Sequence, residues 1–382
     1  METMAEYLAE LVKAGLEDRK AASLPEGVSV REIVKISEEN HMDYLLLGAL
    51  LKTDGLSEEE KELLREKVLG SMLFTGMQLQ ELKKLEERME QAKIPCQPMK
   101  GARMKFYYPS SFLREMSDID ILIHGDFMGY VLQQKIKHHD IYRKAPGIVV
   151  EAHRAMYDRT VDERQYAYFS DLSRAVRRKG FLYVYDFEAE DFYIYMMAHM
   201  AKHFYKRGCG IRNLVDIYVF LEKFGGEMNA DYLQKQFAGL GLTAFTEHME
   251  KLARIWLQGE PGEAFYQQLF DYMQGCGIYG KDENGIWNRF CDAQPEKGEK
   301  GRDVLKRWYW FPPYEYMVLY YPWLSRNPVA GKFLLPAAWG IRAVRGVVCG
   351  RGKYKREMLR QIDASQIGVR QDIYRRLQLR FH

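Results

Sequence analysis

The amino-acid sequence predicts an α+β protein, a small mixed β-sheet embedded in helical regions. Three features predict it: apolar residues at helical spacing through the first ninety positions, alternating or continuous aliphatic runs between 94 and 187, and a return to helical spacing after Glu188. Of 382 residues, 47% are hydrophobic and 29% charged, a balance that excludes a disordered or fibrous chain.

Ser57-Glu58-Glu59-Glu60 has the form of a capping box, in which Ser57 accepts from the backbone three residues on and Glu60 reaches back. Leu63, Leu64, Val68, Leu69, Met72, Leu73, Met77, Leu79, Leu82 and Leu85 follow with no proline before Pro95, so one long amphipathic helix to about Gln91 is expected. Val30 to Leu51 reads as one or two earlier helices. Ile94 to Met99 reads as a strand ending at the Lys100-Gly101 turn, and Pro95 and Pro98 confine it to an edge or irregular position. Ala102 to Tyr108 is helical as far as Pro109. Met116 to His124 and Gly147 to His153 are the next strands, with Phe181 to Tyr185 a candidate fourth. Phe192, Tyr195, Met196 and Met200 share one helical face, and Ile211 to Phe224 is a second helix. Gly275 to Gly301 turns to Gly, Asp, Asn, Glu and Lys, an exposed loop or boundary. The expected organisation is a helical region over 1–92, a sheet core over 93–187, a helical region over 188–300, and an aromatic-rich, basic extension over 301–382.

The formal charge of +3 conceals an asymmetry, since residues 332 to 382 hold 12 Lys and Arg against 3 Asp and Glu. Basic charge interspersed with Trp339, Tyr354 and Tyr374 suits a solvated arm docking on the acidic remainder of the chain. It also suits nucleic acid or peripheral contact with an anionic membrane. The aromatic run from Trp308 to Tyr321 reads as packing. Met1 to Lys20 is charged throughout and lacks the apolar segment of a secretory signal. Phe333 to Ile341 is short and holds Pro336, so no transmembrane segment is expected. Five scattered cysteines, none spaced Cys-x-x-Cys, suit a reducing, cytoplasmic setting.

The chemistry is concentrated in Met116-Ser117-Asp118-Ile119-Asp120-Ile121-Leu122-Ile123. On a strand, Asp118 and Asp120 point to one face while Ile119, Ile121 and Ile123 point to the other. Neighbouring carboxylates disfavour joint ionisation, and a divalent cation removes the conflict. Magnesium or manganese is the expected ion, with Glu151 supplying a third carboxylate from a neighbouring strand. His199 and His203, four apart on a helix, have the spacing of metal-binding helices. They serve as well, with Lys202 and Asp216, as a hydrogen-bond network or as substrate contacts, and His153 reads as a site wall or a structural partner.

Lys100-Gly101, Tyr107-Tyr108-Pro109, Arg114-x-Met116-x-Asp118-Ile119-Asp120 and Val150-Glu151-x-His153 together resemble a poorly characterised bacterial nucleotidyltransferase family of the polymerase-β-like superfamily. His199-x-x-Lys202-His203 with Arg212 and Asp216 is similar to that family's second block, and Phe311-Pro312-Pro313 through Trp339 to its C-terminal region. The resemblance implies a nucleotidyltransferase-like sheet, a glycine turn beside nucleotide phosphates, and an Asp-x-Asp pair with a third acid that together bind two metals. Carried over, Asp118, Asp120 and Glu151 become the catalytic and metal residues, and Lys100, Gly101, Ala102, Arg103 and Arg114 the nucleotide contacts. Transfer from an NTP to a hydroxyl or phosphate acceptor follows. The superfamily usually has Gly-Ser at the turn and a shorter gap to the acids, whereas Ala102 follows Gly101 here and sixteen residues precede Asp118. That departure admits a second reading, a binding or scaffolding protein that keeps the fold without turnover.

Overall fold

A computed structural model describes residues 3–123, 131–135, 139–144, 147–157, 162–281, 284, 307, 310–348 and 366–379. The chain forms two compact units, one built from Met1–Phe204 and Cys209–Gly280, the other from Tyr205–Gly208 and Lys281–Leu379.

The first unit begins with helices α1 (Thr3–Leu16) and α2 (Val30–Asn40), followed by a wide π turn at Asp43–Leu47 and a helical turn at Gly48–Leu50. Helix α3 runs Glu58–Ala92 and starts on the expected capping box: Ser57 accepts from Glu60 N–H at 3.2 Å, and the Glu60 carboxylate accepts from Ser57 N–H at 2.8 Å. It stops where Lys93 enters the left-handed region with φ 57°.

Five strands follow: β1 (Cys96–Pro98), β2 (Ile119–Ile123), β3 (Val131–Lys135), β4 (His139–Lys144) and β5 (Ile148–His153), with the short helix α4 (Lys100–Met104) after β1. Their order is β1-β2-β5-β4-β3, with β2 and β5 parallel and the other neighbours antiparallel. β1 sits at the edge, where Pro98 within it and Pro95 just before it remove no ladder hydrogen bond from a central strand. Leu82, Leu85 and Met89 of α3 pack on one sheet face against Ile119, Ile121, Ile123, Val150 and Ala152. Each large aliphatic side chain buried there contributes about 1.5–3 kcal/mol. Gln78 of α3 donates to Met116 O at 3.0 Å and fixes the start of β2.

Phe181 to Tyr185 does not join this sheet as a strand. Gly180, at φ 90°, turns the chain, the amides of Leu182 and Tyr183 donate to the Glu90 carboxylate at 2.8 Å each, and the segment meets edge strand β1 in a single parallel bridge, Val184 to Cys96, where Cys96 N–H donates to Tyr183 O at 2.9 Å. The strand lies just beyond: β6 (Ala175–Arg177) and β7 (Tyr185–Phe187) form a separate two-stranded sheet after helix α5 (Glu163–Phe169). Arg178 ties it to α3, reaching Glu86 at 2.7 Å and Asp186 at 2.8 Å.

Helices α6 (Ala189–Arg207), α7 (Arg212–Phe224), α8 (Ala230–Leu240), α9 (Thr243–Gln258) and α10 (Ala264–Cys276) follow. Gly210 can only be glycine, because a Cβ there would lie 2.2 Å from Asn40 Oδ1, the atom that accepts from Ile211 N–H at 3.0 Å. The loop expected over 275–301 lies mostly outside the described residues, as do His124, Trp308 and Tyr354.

In the second unit, helices α11 (Tyr314–Tyr320), α12 (Pro328–Phe333), α13 (Leu335–Val348) and α14 (Gln366–Leu377) are described. Met317, Leu324 and Ala338 are buried together under Tyr314, Tyr321 and Trp339, and Trp339 Nε1 donates to Pro312 O at 2.8 Å, so the expected aromatic packing holds for part of the run only: Trp310, Phe311 and Tyr320 are exposed. Among the described residues no helix is long and apolar enough to cross a membrane.

Candidate active site

Strand pairing assembles the site. The parallel register sets Asp120 of β2 beside Glu151 of β5 and Leu122 beside His153, and the antiparallel register sets His139 of β4 opposite His153. With neighbouring strands about 4.8 Å apart, one sheet face carries Asp120, Glu151, His153 and His139 while the other carries the aliphatic core. Asp118 precedes β2 by one residue. Asp118, Asp120 and Glu151 line one cleft of about 320 Å³ with side chains of α6 and α7. A larger groove of about 640 Å³, lined by Lys13, Trp256 and the turn at 259–264, contains none of the predicted site residues.

The two aspartates are electrostatic opposites. Asp120 is buried, which opposes ionisation, but the Lys100 ammonium at 2.6 Å and the His153 ring at 2.8 Å more than offset it and hold the carboxyl below the usual range. Asp118 has no hydrogen bond or ion pair among the described residues, and burial, then the charge of Asp120, push its pKa up to about 7. Glu151 is also partly desolvated, yet His153 at 3.5 Å draws its pKa down, and His139 stands 3.6 Å from the same oxygen. The His139 and His153 rings stack with centroids 4.8 Å apart, and burial lowers the His139 pKa.

The predicted nucleotide contacts divide. Lys100 and Gly101 line the cleft. The left-handed backbone lies at Lys100, φ 49°, not at Gly101. Gly101 is needed instead for close approach, because a Cβ there would stand 3.0 Å from both Arg114 Nη1 and Met116 Cβ. Ala102 is buried in the core cluster beneath the sheet. Arg103 is not a lining residue: it pairs with Asp186 at 3.1 Å and lies 5.0 Å from the Tyr107 ring centre. Arg114 lines the cleft but is clamped, donating from Nε and Nη2 to Asp216 at 2.9 and 2.8 Å and from Nη1 to Glu115 O at 2.5 Å.

His199 and His203 both line the cleft with their Nε2 atoms 3.0 Å apart, so at that contact one ring donates and the other accepts. Burial and then the neighbouring His203 lower the His199 pKa well below the usual imidazole value. Lys202 places its ammonium 5.1 Å from the Tyr157 ring centre and is not a lining residue, and Asp216, expected as a partner of these histidines, accepts from Arg114 and Tyr108 instead.

Two residues join the site that the sequence did not single out for it. His139 carried no signal, because its strand lacks an aliphatic alternation and its placement comes from register. Arg212, present in the helical block quoted above, lines the cleft while only 6% exposed. Its Nη1 reaches Glu115 O at 3.2 Å, its Nε has no partner, and burial, then Arg114, pull its pKa down to about 9. A buried guanidinium without a carboxylate of its own is a ready anion contact.

The donor set fits a divalent cation. Asp118 offers a carboxylate that no described residue engages, beside Asp120 and Glu151, and hard oxygens of this kind are what magnesium and manganese take. A protein-family model described as an uncharacterised nucleotidyltransferase matches residues 26–258, a span that includes every residue of the cleft from Lys100 to Asp216. No curated protein and no solved structure matches the chain.

Proposed function

The chain belongs to this nucleotidyltransferase family, and from that premise we propose that the cleft moves a nucleotidyl group from a nucleoside triphosphate to a hydroxyl or phosphate acceptor, with divalent ions held by Asp118, Asp120 and Glu151. The observation that carries the proposal is Asp118, a cleft carboxylate with no partner among the described residues and a pKa near 7, two residues from one whose Oδ1 is paired with both Lys100 and His153. Divalent ions bound at such acids neutralise charge on the triphosphate and ease ionisation of an acceptor hydroxyl, the two-metal arrangement.

The chain's own side chains supply the rest. Arg212 meets a phosphate oxygen from the α7 side of the cleft. Lys100 keeps Asp120 ionised and oriented. Gly101 lets the Arg114 side chain pass close beneath the turn, which holds that turn against β2. The acceptor oxygen attacks the α-phosphorus as the bridge to the β-phosphate breaks, pyrophosphate leaves, and the acceptor proton passes to water. Phe192, Met196 and Met200 give the opposite wall an apolar character that limits water at the reacting bond.

The buried methyl of Ala102, in place of a hydroxyl, favours the second reading, a binding or scaffolding protein. Incubation with each of the four nucleoside triphosphates and magnesium or manganese separates the two by pyrophosphate release. Release that falls at least a hundredfold in Asp118→Asn with Asp120→Asn supports transfer. Metal-dependent binding without release supports the scaffold, and absence of both binding and release contradicts the assignment of the cleft.

A further inference from the structure

We infer that His139, Glu151 and His153 form a second, nitrogen-rich metal site on the polar sheet face, one that takes a borderline divalent ion such as zinc or cobalt in preference to magnesium. The donor atoms of these three residues all lie within 4.8 Å of one another. His139 Nε2 is 3.6 Å and His153 Nε2 3.5 Å from the same Glu151 oxygen. Ligands of a four-coordinate ion with bonds of about 2.1 Å stand roughly 3.4 Å apart, close to the spacing of these donors, and rotation of the stacked imidazoles about their side-chain bonds turns both lone pairs toward the ion.

The backbone explains why the site is pre-formed. His139 and His153 are direct partners across β4 and β5, and Glu151 lies two residues before His153 on the same strand face. All three positions are therefore fixed by ladder hydrogen bonds, with no ligand contributed by a loop. The charges also suit a cation. Lys100 and Asp120 neutralise each other at 2.6 Å, so the nearest uncompensated charge is the Glu151 carboxylate. Asp120 Oδ1, already paired with Lys100, lies 2.8 Å from His153 Nε2, and binding of an ion at that nitrogen would release to solvent any proton shared across the contact. Three protein ligands with a fourth position left open match zinc sites that keep exchangeable coordination. Two imidazoles favour zinc, cobalt or nickel, whereas magnesium holds to oxygen. The site shares Glu151 with the nucleotide cleft but does not depend on nucleotide transfer.

Cobalt is the probe. Full-length, chelator-treated protein titrated with Co²⁺ in the absence of nucleotide is expected to bind one equivalent with visible d–d absorption. Zn²⁺ should displace it and a hundredfold excess of Mg²⁺ should not. His139→Gln, with folding checked by circular dichroism, should weaken Co²⁺ binding at least tenfold, whereas Asp118→Asn should leave the absorption unchanged. Failure of the wild type to take up Co²⁺, or equal affinity in folded His139→Gln, overturns the inference. If that variant does not fold, X-ray absorption of the wild-type cobalt form decides: two imidazole ligands support the site and an all-oxygen shell refutes it. Loss of pyrophosphate release with cobalt binding intact would contradict only the nucleotide assignment.

Discussion

Asp216 and Asp118 line the same cleft, yet their carboxylates meet opposite surroundings. Asp216 accepts from Tyr108 Oη at 2.8 Å and from two nitrogens of Arg114 at 2.9 and 2.8 Å, a closed network in which charge and hydrogen-bonding capacity are matched. Asp118 is also substantially desolvated and has no partner among the described residues. A closed network of this kind rigidifies a core and specifies its geometry, whereas an open carboxylate in a desolvated place is destabilising until something binds it. The difference makes Arg114 and Asp216 a pair that holds the sheet against α7, and it is the basis of the role proposed for Asp118.

The largest effect should come from opening the closed network. Asp216→Ala strands Arg114 beside Arg212 and removes the acceptor of Tyr108, so a loss of about 3–5 kcal/mol is expected in urea unfolding. A loss below 1 kcal/mol would mean the network is not closed in solution. Asp118→Asn should do the reverse. The folded-state pKa of Asp118, near 7, stands above its ordinary 3.8, so the native carboxyl contributes stability when protonated and loses it as pH rises from about 4 through 7. The neutral amide therefore stabilises the metal-free protein at pH 8, by on the order of 2 kcal/mol, and the gain vanishes below pH 4. Unfolding curves at the two pH values check this, and destabilisation at pH 8 would refute the open-site description.

Arg212→Gln should weaken nucleotide binding about tenfold, the loss expected for one hydrogen bond to a charged group. Arg103→Gln, whose side chain pairs with Asp186, should leave affinity unchanged in the same titration. Equal losses from both would undo the division between the two arginines. Gly101→Ala, which must move Arg114 Nη1 and Met116 Cβ by a few tenths of an ångström, should cost about 1 kcal/mol in urea unfolding, the smallest of the losses expected.

Much of this contrast was legible where the signal is local. The alternation of Ile119, Ile121 and Ile123 announces β2 and puts Asp120 on the opposite face, Pro95 and Pro98 announce β1 as an edge, and Ser57 with Glu60 announces the start of α3. What was not legible depends on pairing over distance. Arg114 and Asp216 are 102 residues apart, and no local pattern indicates that one will occupy the other. β3 and β4 carry Gln133, Gln134, Lys135, His139 and Asp140, too polar for an aliphatic strand pattern, and their place in the sheet comes from the antiparallel ladder with β5. Arg103 lies beside the glycine turn in sequence but pairs with Asp186, whereas Lys100, whose left-handed backbone at φ 49° sets it apart from the helical residues that follow, reaches Asp120.

Isothermal titration of nucleoside triphosphates into the full chain, with and without magnesium or manganese, tests the central claim most directly. Binding by the wild type that requires the ion, and that disappears in folded Asp118→Asn with Asp120→Asn, is the result this account predicts. Equal binding by the wild type and that variant, or binding indifferent to the ion, would contradict it.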